Sequence, residues 1–204
     1  MRLSRPAKLG PLFLLGLALG ASACGPAPEP EAPEGDPLAP KNLYPLAEGN
    51  VWSYNVDTGQ DLPTLAQTRV VSAQGNRYEV SSNRSDPVVY ELREQGIFRP
   101  ANGTWLLKAP IRVGAEWPSS AGMTARVEST GVSVETPAGS FDGCVQVVET
   151  GGEAGRSVAT VYCPEIGPVL VESKLRTQVS RMEAKVTARL LGYVFGQERK
   201  PPPE

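Results

Sequence analysis

From Val51 onward the chain alternates apolar and polar side chains in short runs punctuated by glycine, proline and asparagine. Such period-two runs mark strands lying half against a core. The pattern predicts strands at Val51–Val56, Thr68–Ala73, Arg77–Ser82, Val88–Arg93, Gly96–Arg99, Thr104–Lys108, Ala125–Glu128, Val132–Thr136, Cys144–Glu149, Ser157–Cys163, Val169–Leu175 and Met182–Phe195. Turn signals separate nearly all of them, among them Gln74-Gly75-Asn76, Asn102-Gly103, Pro137-Ala138-Gly139 and Gly151-Gly152. One segment carries two periods: Val179, Met182, Val186 and Leu190 follow helical spacing, while Met182 to Leu190 also alternates at period two. Continued alternation through Val194, with the aromatic pair Tyr193 and Phe195, selects the strand. Short strands at this spacing predict an all-β domain with an antiparallel curved sheet, either a half-barrel or sandwich-like.

The first residues follow another pattern. Arg2, Arg5 and Lys8 precede an apolar stretch from Pro11 to Leu19, and small residues follow at Ala21 and Ala23. This is the layout of an export signal, and the stretch falls short of the roughly 20 apolar residues a spanning helix needs. Ala21-Ser22-Ala23-Cys24 suits ordinary signal peptidase and also resembles a bacterial lipobox, in which Cys24 is acylated and becomes the first mature residue. Both routes cut before Cys24. Ala21 stands where a lipobox more often has leucine. Lipidation makes the membrane a partner through an anchor on Cys24, on the envelope face toward the periplasm or exterior.

Residues 25–40 contain six prolines, four acids and a single large apolar side chain, Leu38. A segment so poor in apolar surface reads as a tether, extended at about 3.1 Å per residue to roughly 50 Å. A proline-rich ligand for a partner is the alternative. The expected organisation is a signal peptide over 1–23, lipidated Cys24 and tether over 24–40, one all-β domain over 41–196, and a disordered tail over 197–204.

Charge shifts once the leader is removed. Losing Arg2, Arg5 and Lys8 takes the balance from 20 basic and 22 acidic residues to 17 against 22, and the tether holds four of those acids. The folded part is nearly neutral and has no dense Lys/Arg block, so no nucleic-acid partner is expected.

The chain has no histidine, which excludes Ser–His and Cys–His catalysis, His-containing zinc sites and His-based proton transfer. No phosphate-binding glycine loop and no GxSxG occur. Asp57-Thr58-Gly59 matches the triplet of aspartic proteases, but in one copy, with Asn55 and Gln60 where the pattern expects other types; a turn is the simpler reading. Asp142-Gly143 and Asp86-Pro87 read as turns too. Trp52, Trp105 and Trp117 sit beside alternating apolar residues and read as core anchors in preference to a carbohydrate platform. No enzyme, cofactor or metal is expected.

Three cysteines are present, and assigning Cys24 to lipid leaves Cys144 and Cys163 as a pair. If the chain reverses around Gly151 to Gly155, antiparallel pairing sets Val145 opposite Tyr162 and Cys144 opposite Cys163, within reach of a disulfide. Two buried free thiols are the alternative.

Three stretches carry a family resemblance: Tyr44-Pro45-Leu46 with Gly49-Asn50, Trp52 and Tyr54; Val132 to Val147 around Thr136-Pro137-Ala138-Gly139-Ser140-Phe141; and Tyr162, Pro164, Ile166-Gly167 and Val169. Together they resemble the TapB-like family of uncharacterised bacterial lipoproteins. The resemblance implies a curved antiparallel sheet similar to the half-barrels of periplasmic lipoprotein carriers, and neither an enzyme nor a defined ligand. Cys163 departs from the small residue usual between the Tyr and Pro, which fits a compensating partner for Cys144.

Two functions compete. One is a non-enzymatic, membrane-tethered binding or assembly module of the cell envelope, with an envelope protein or wall partner. The other is a carrier holding an apolar or acyl ligand on a concave sheet. An apolar concave face left uncovered favours the carrier, and a core filled by Trp, Tyr and Leu favours the module.

Overall fold

A computed structural model describes residues 35–59, 62–152, 155–176 and 183–196. One four-residue helix, α1 (Pro40–Leu43), precedes twelve strands: β1 (Val51–Asp57), β2 (Thr64–Gln74), β3 (Arg77–Ser82), β4 (Val88–Arg93), β5 (Gly96–Arg99), β6 (Thr104–Lys108), β7 (Glu116–Pro118), β8 (Met123–Thr136), β9 (Gly139–Gly151), β10 (Arg156–Cys163), β11 (Gly167–Arg176) and β12 (Glu183–Val194). All pair antiparallel in the order β6-β5-β4-β3-β2-β1-β12-β11-β10-β9-β8-β7. Every neighbour is sequential except β1 with β12, so the first and last strands meet. The edges β6 and β7 are consecutive in the chain, and the sheet curls into a nearly closed barrel whose seam lies between them.

Four differences from the sequence pattern have local causes. The runs Ala125–Glu128 and Val132–Thr136 are one strand, β8, because the residues between them form bulges against β9 and no reversal. Asp142-Gly143 also lies in a bulge of this ladder and makes no turn; Asp142 Oδ1 accepts from Ser133 Oγ at 2.5 Å. Strand β7 has a single buried residue and a proline, which suit a short edge strand and leave no period to read. Packing begins at Leu38, ahead of the expected start at residue 41, because Asp36 Oδ1 accepts from the Leu38 amide at 2.8 Å and Pro40 supplies a preset first helical turn. Of the segment with two periods, Glu183–Val194 is a strand and Met182 lies outside the described residues.

Bulges increase local twist, and the three in β8–β9 curl that long hairpin over one end of the barrel. Its tip docks on β12: the Ala138 amide donates to Leu190 O at 3.0 Å and to Thr136 Oγ1 at 3.2 Å. Phe141 then packs on Tyr193, Tyr193 on Phe195, and Phe195 on Trp52, with ring centroids 5.2–6.5 Å apart.

The other two resembling stretches meet each other. Trp52 Nε1 donates to Ile166 O at 2.7 Å, Tyr54 Oη to Pro168 O at 2.9 Å, and the Glu165 amide to Asn42 O at 2.8 Å. Asn50, buried, donates to Pro45 O and accepts the Gly196 amide, joining the two ends of the domain. A Cβ on Gly167 would lie 3.0 Å from Trp52 Nε1, so only glycine lets the indole seat there. These stretches are therefore a clamp for Trp52, and full burial of such a side chain contributes about 1.5–3 kcal/mol.

Cys144 and Cys163 are joined at an S–S distance of 2.01 Å, in the register set by Val145 opposite Tyr162. Both are buried.

Candidate binding site

Strand alternation decides which side chains line the barrel. Tyr54 on β1, Tyr90 on β4 and Tyr162 on β10 face inward, and Tyr44, which follows α1, joins them. They wall a concavity of about 380 Å³, completed by aliphatic side chains such as Val80, Val88 and Val171. That volume lies within the range of small-molecule pockets.

Burial falls along the strands that form this face. On β12 it drops from fully buried Leu190 through Ala188 to Val186 at 36% exposure; on β11 it drops from fully buried Val169 to Leu175 at 37%. Leu175 and Val186 share the inward face of Val171 and Ala188 by strand period, and Val88 on β4 is 46% exposed. The concavity is thus a trough, closed at the Trp52–Leu190 end and open at an aliphatic rim.

The four phenols interact. Tyr44 packs edge-on to Tyr90 at 6.4 Å and tilts against Trp52 at 5.1 Å. Burial pushes the Tyr44 hydroxyl well above its ordinary pKa, and the neighbouring Tyr90, Tyr54 and Tyr162 add to the rise. Burial likewise raises Tyr54, with a further push from Tyr162, and raises Tyr162, with a further push from Glu149. All three are neutral donors and acceptors across the physiological range.

Glu149 is the one charged side chain among the described residues lining the trough. It projects inward from β9, where its Oε1 accepts from Ser119 Oγ and lies 3.9 Å from Arg99 Nη1. Arg99 Nη1 also donates to Ser119 Oγ at 3.2 Å, and its guanidinium carbon sits 6.0 Å from the Tyr90 centroid. Arg99 ends β5, Ser119 follows β7, and Glu149 is on β9, so this trio spans the barrel seam. Both charged side chains are largely buried, at 13% and 14% exposure, which makes the pairing costly to break from one side.

The residues singled out from sequence fall elsewhere. Cys24 lies outside the described residues. Cys144 and Cys163 are structural. Asp57 is exposed at the end of β1, where Oδ1 accepts the Gly59 amide at 2.8 Å in a local turn. Trp52 and Trp117 are buried core residues, and half-buried Trp105 packs on Phe98 at 5.0 Å. Among the described residues no helix is long and apolar enough to cross a membrane. Sequence reading missed Glu149, Arg99, Ser119 and the convergence of the tyrosines, which only strand order brings together.

No family model and no curated protein matches the chain. The TapB-like assignment therefore remains a resemblance. Two solved structures are similar in outline. One is a Bacteroides fragilis protein assigned as exported, with a YmcC-like fold: 15% identity, TM-score 0.49, covering 74% of this chain and 98% of that one. The other is a Parabacteroides distasonis protein assigned as a lipoprotein: 14% identity, TM-score 0.40, with the same coverages.

Proposed function

We propose that this chain is a non-enzymatic lipoprotein of the cell envelope, anchored through Cys24, whose domain holds a small amphiphilic ligand in the tyrosine-walled trough. The core is filled by Trp52, Leu43, Leu107 and Leu190 with Tyr44, Tyr54 and Tyr162, as the module reading expects; what favours a ligand is that inward apolar side chains at the open end, Val88, Leu175 and Val186, stay exposed. The anchoring rests on the export signal, the lipobox-like junction and the acidic, proline-rich segment after it. The competing module reading works through sheet edges or loops, and the edges offered for strand addition are short, five residues in β6 and three in β7.

Native mass spectrometry of the protein released from envelopes tests the ligand: a co-purified small amphiphile is expected, and a ligand-free mass under gentle conditions counts against the carrier. Membrane fractionation tests the anchor. Cys24→Ala is expected to move the protein to the soluble fraction, and unchanged membrane association refutes acylation there.

A further inference from the structure

The proposed ligand site says more about its occupant than that it is amphiphilic, because its charges are already matched. Glu149 gives the wall one negative charge, and Arg99 at 3.9 Å balances it through the shared Ser119 hydroxyl. A second anion here would face the carboxylate with the matching cation already engaged. A second cation would compete with Arg99, which already stands 6.0 Å from the Tyr90 ring. Burying either charge without a new partner is unfavourable.

What the wall does offer is hydrogen bonding without charge. Tyr54 gives its proton to Pro168 O and keeps acceptor capacity, Tyr162 and Thr160 share a hydrogen bond and keep further hydroxyl capacity between them, and Glu149 has a second carboxylate oxygen beyond the one that Ser119 engages. Around them stand ring faces and aliphatic side chains, continuous with the exposed rim at Leu175 and Val186.

We infer that the trough selects an amphiphile with an uncharged, hydroxyl-bearing head, of the monoacylglycerol or long-chain alcohol class, over fatty-acid anions and alkylammonium cations. The head sits by Glu149 and the tyrosines, and the tail runs toward the aliphatic rim. This rests on the trough being the ligand site, and the test separates the two.

The full chain carrying Cys24→Ala, so that no acyl group of its own competes, is titrated in mildly alkaline buffer with monolaurin, laurate and dodecyltrimethylammonium, probes sharing one tail. Intrinsic tryptophan and tyrosine fluorescence reports binding. Monolaurin is expected to bind at least about tenfold more tightly than either ion, the discrimination a like charge at a buried wall readily supplies. Glu149→Gln is expected to narrow the gap to laurate by about that factor. Val186→Arg, at the exposed rim, is expected to weaken monolaurin and leave the fold intact, and it keeps the test open should Glu149→Gln fail to fold. Laurate or the ammonium binding as tightly as monolaurin overturns the inference about the head and leaves the trough as a site. No binding of any probe, or monolaurin affinity indifferent to Val186→Arg, overturns the trough reading itself.

Discussion

Gly167 and Gly151 share nearly the same φ and have different neighbours, which isolates the contribution of the Trp52 clamp. Their φ angles are +104° and +103°, so alanine at either position suffers a similar conformational penalty, about 1–2 kcal/mol. At Gly151 the new Cβ meets Gly122 O at 3.7 Å and Met123 Cα at 3.8 Å, ordinary van der Waals contact. At Gly167 it meets Trp52 Nε1 at 3.0 Å and Cε2 at 3.3 Å. The indole cannot retreat without lengthening its 2.7 Å hydrogen bond to Ile166 O, and it is wedged by Tyr44 and Phe195. Overpacking of this kind costs about 1–3 kcal/mol, and the weakened hydrogen bond about 1 more. Gly167→Ala should therefore destabilise by about 3–6 kcal/mol and Gly151→Ala by about 1–2. Urea unfolding followed by tryptophan fluorescence measures both, with the m-values checked for equality before the midpoints are compared. Equal losses for the two variants would refute the steric argument and reduce the Gly167 requirement to its φ angle.

Reducing the Cys144–Cys163 bridge, whose sequence separation is 19, should lower unfolding free energy by about 3 kcal/mol; an unchanged urea midpoint under reductant contradicts a stabilising role. Ser119→Ala removes a hydroxyl that accepts from Arg99 and donates to Glu149, and should cost about 1–3 kcal/mol; a double-mutant cycle with Glu149→Gln should show coupling, and additivity rules it out. Alkaline pH should destabilise the fold. Tyr44, Tyr54 and Tyr162 hold their protons above the unfolded value near 10. Between that value and the higher folded ones the unfolded chain binds fewer protons, so stability is complete below it and falls as pH rises beyond it. The slope should approach about 1.4 kcal/mol per pH unit for each tyrosine. Phenolate absorbance checks the order of events, since ionisation of these three should coincide with loss of structure.

Four strands, β3 to β6, lie where the sequence puts them because each is a short run rich in β-branched, aromatic or other apolar residues set between brief connections. The disulfide register was legible too: parity counted back from Gly151 puts Val145 against Tyr162 whatever the rest of the sheet does. The β1–β12 pairing was not, since nothing local to Val51–Asp57 or Glu183–Val194 specifies a partner at the far end of the chain. The site depends on that missing information. Tyr54 and Ala188 face each other's strands only through this pairing, and Arg99, Ser119 and Glu149 meet only because the sheet closes far enough to bring β5 near β9. Glu149 even reads as a plain polar position at the end of its strand, and its inward direction follows from sharing a face with Val145 and Val147.

The closing of the barrel and the seating of the N-terminal segment are one construction. Asp36 accepts from the Leu38 amide with its side chain and from Asn42 Nδ2 with its carbonyl, each at 2.8 Å. The Asn42 carbonyl in turn accepts from the Glu165 amide in the β10–β11 turn. The chain is thus fixed at Asp36 and Asn42 before it reaches Tyr44, whose ring touches both the Trp52 clamp and the trough. The Asn42–Glu165 hydrogen bond lies beside the Trp52 clamp, at the buried end of the barrel and away from the rim at Leu175 and Val186. If the chain is anchored as proposed, tension would enter the domain at this end and leave the open mouth unloaded. Tyr44 thus couples the segment that enters the domain to the wall of the trough.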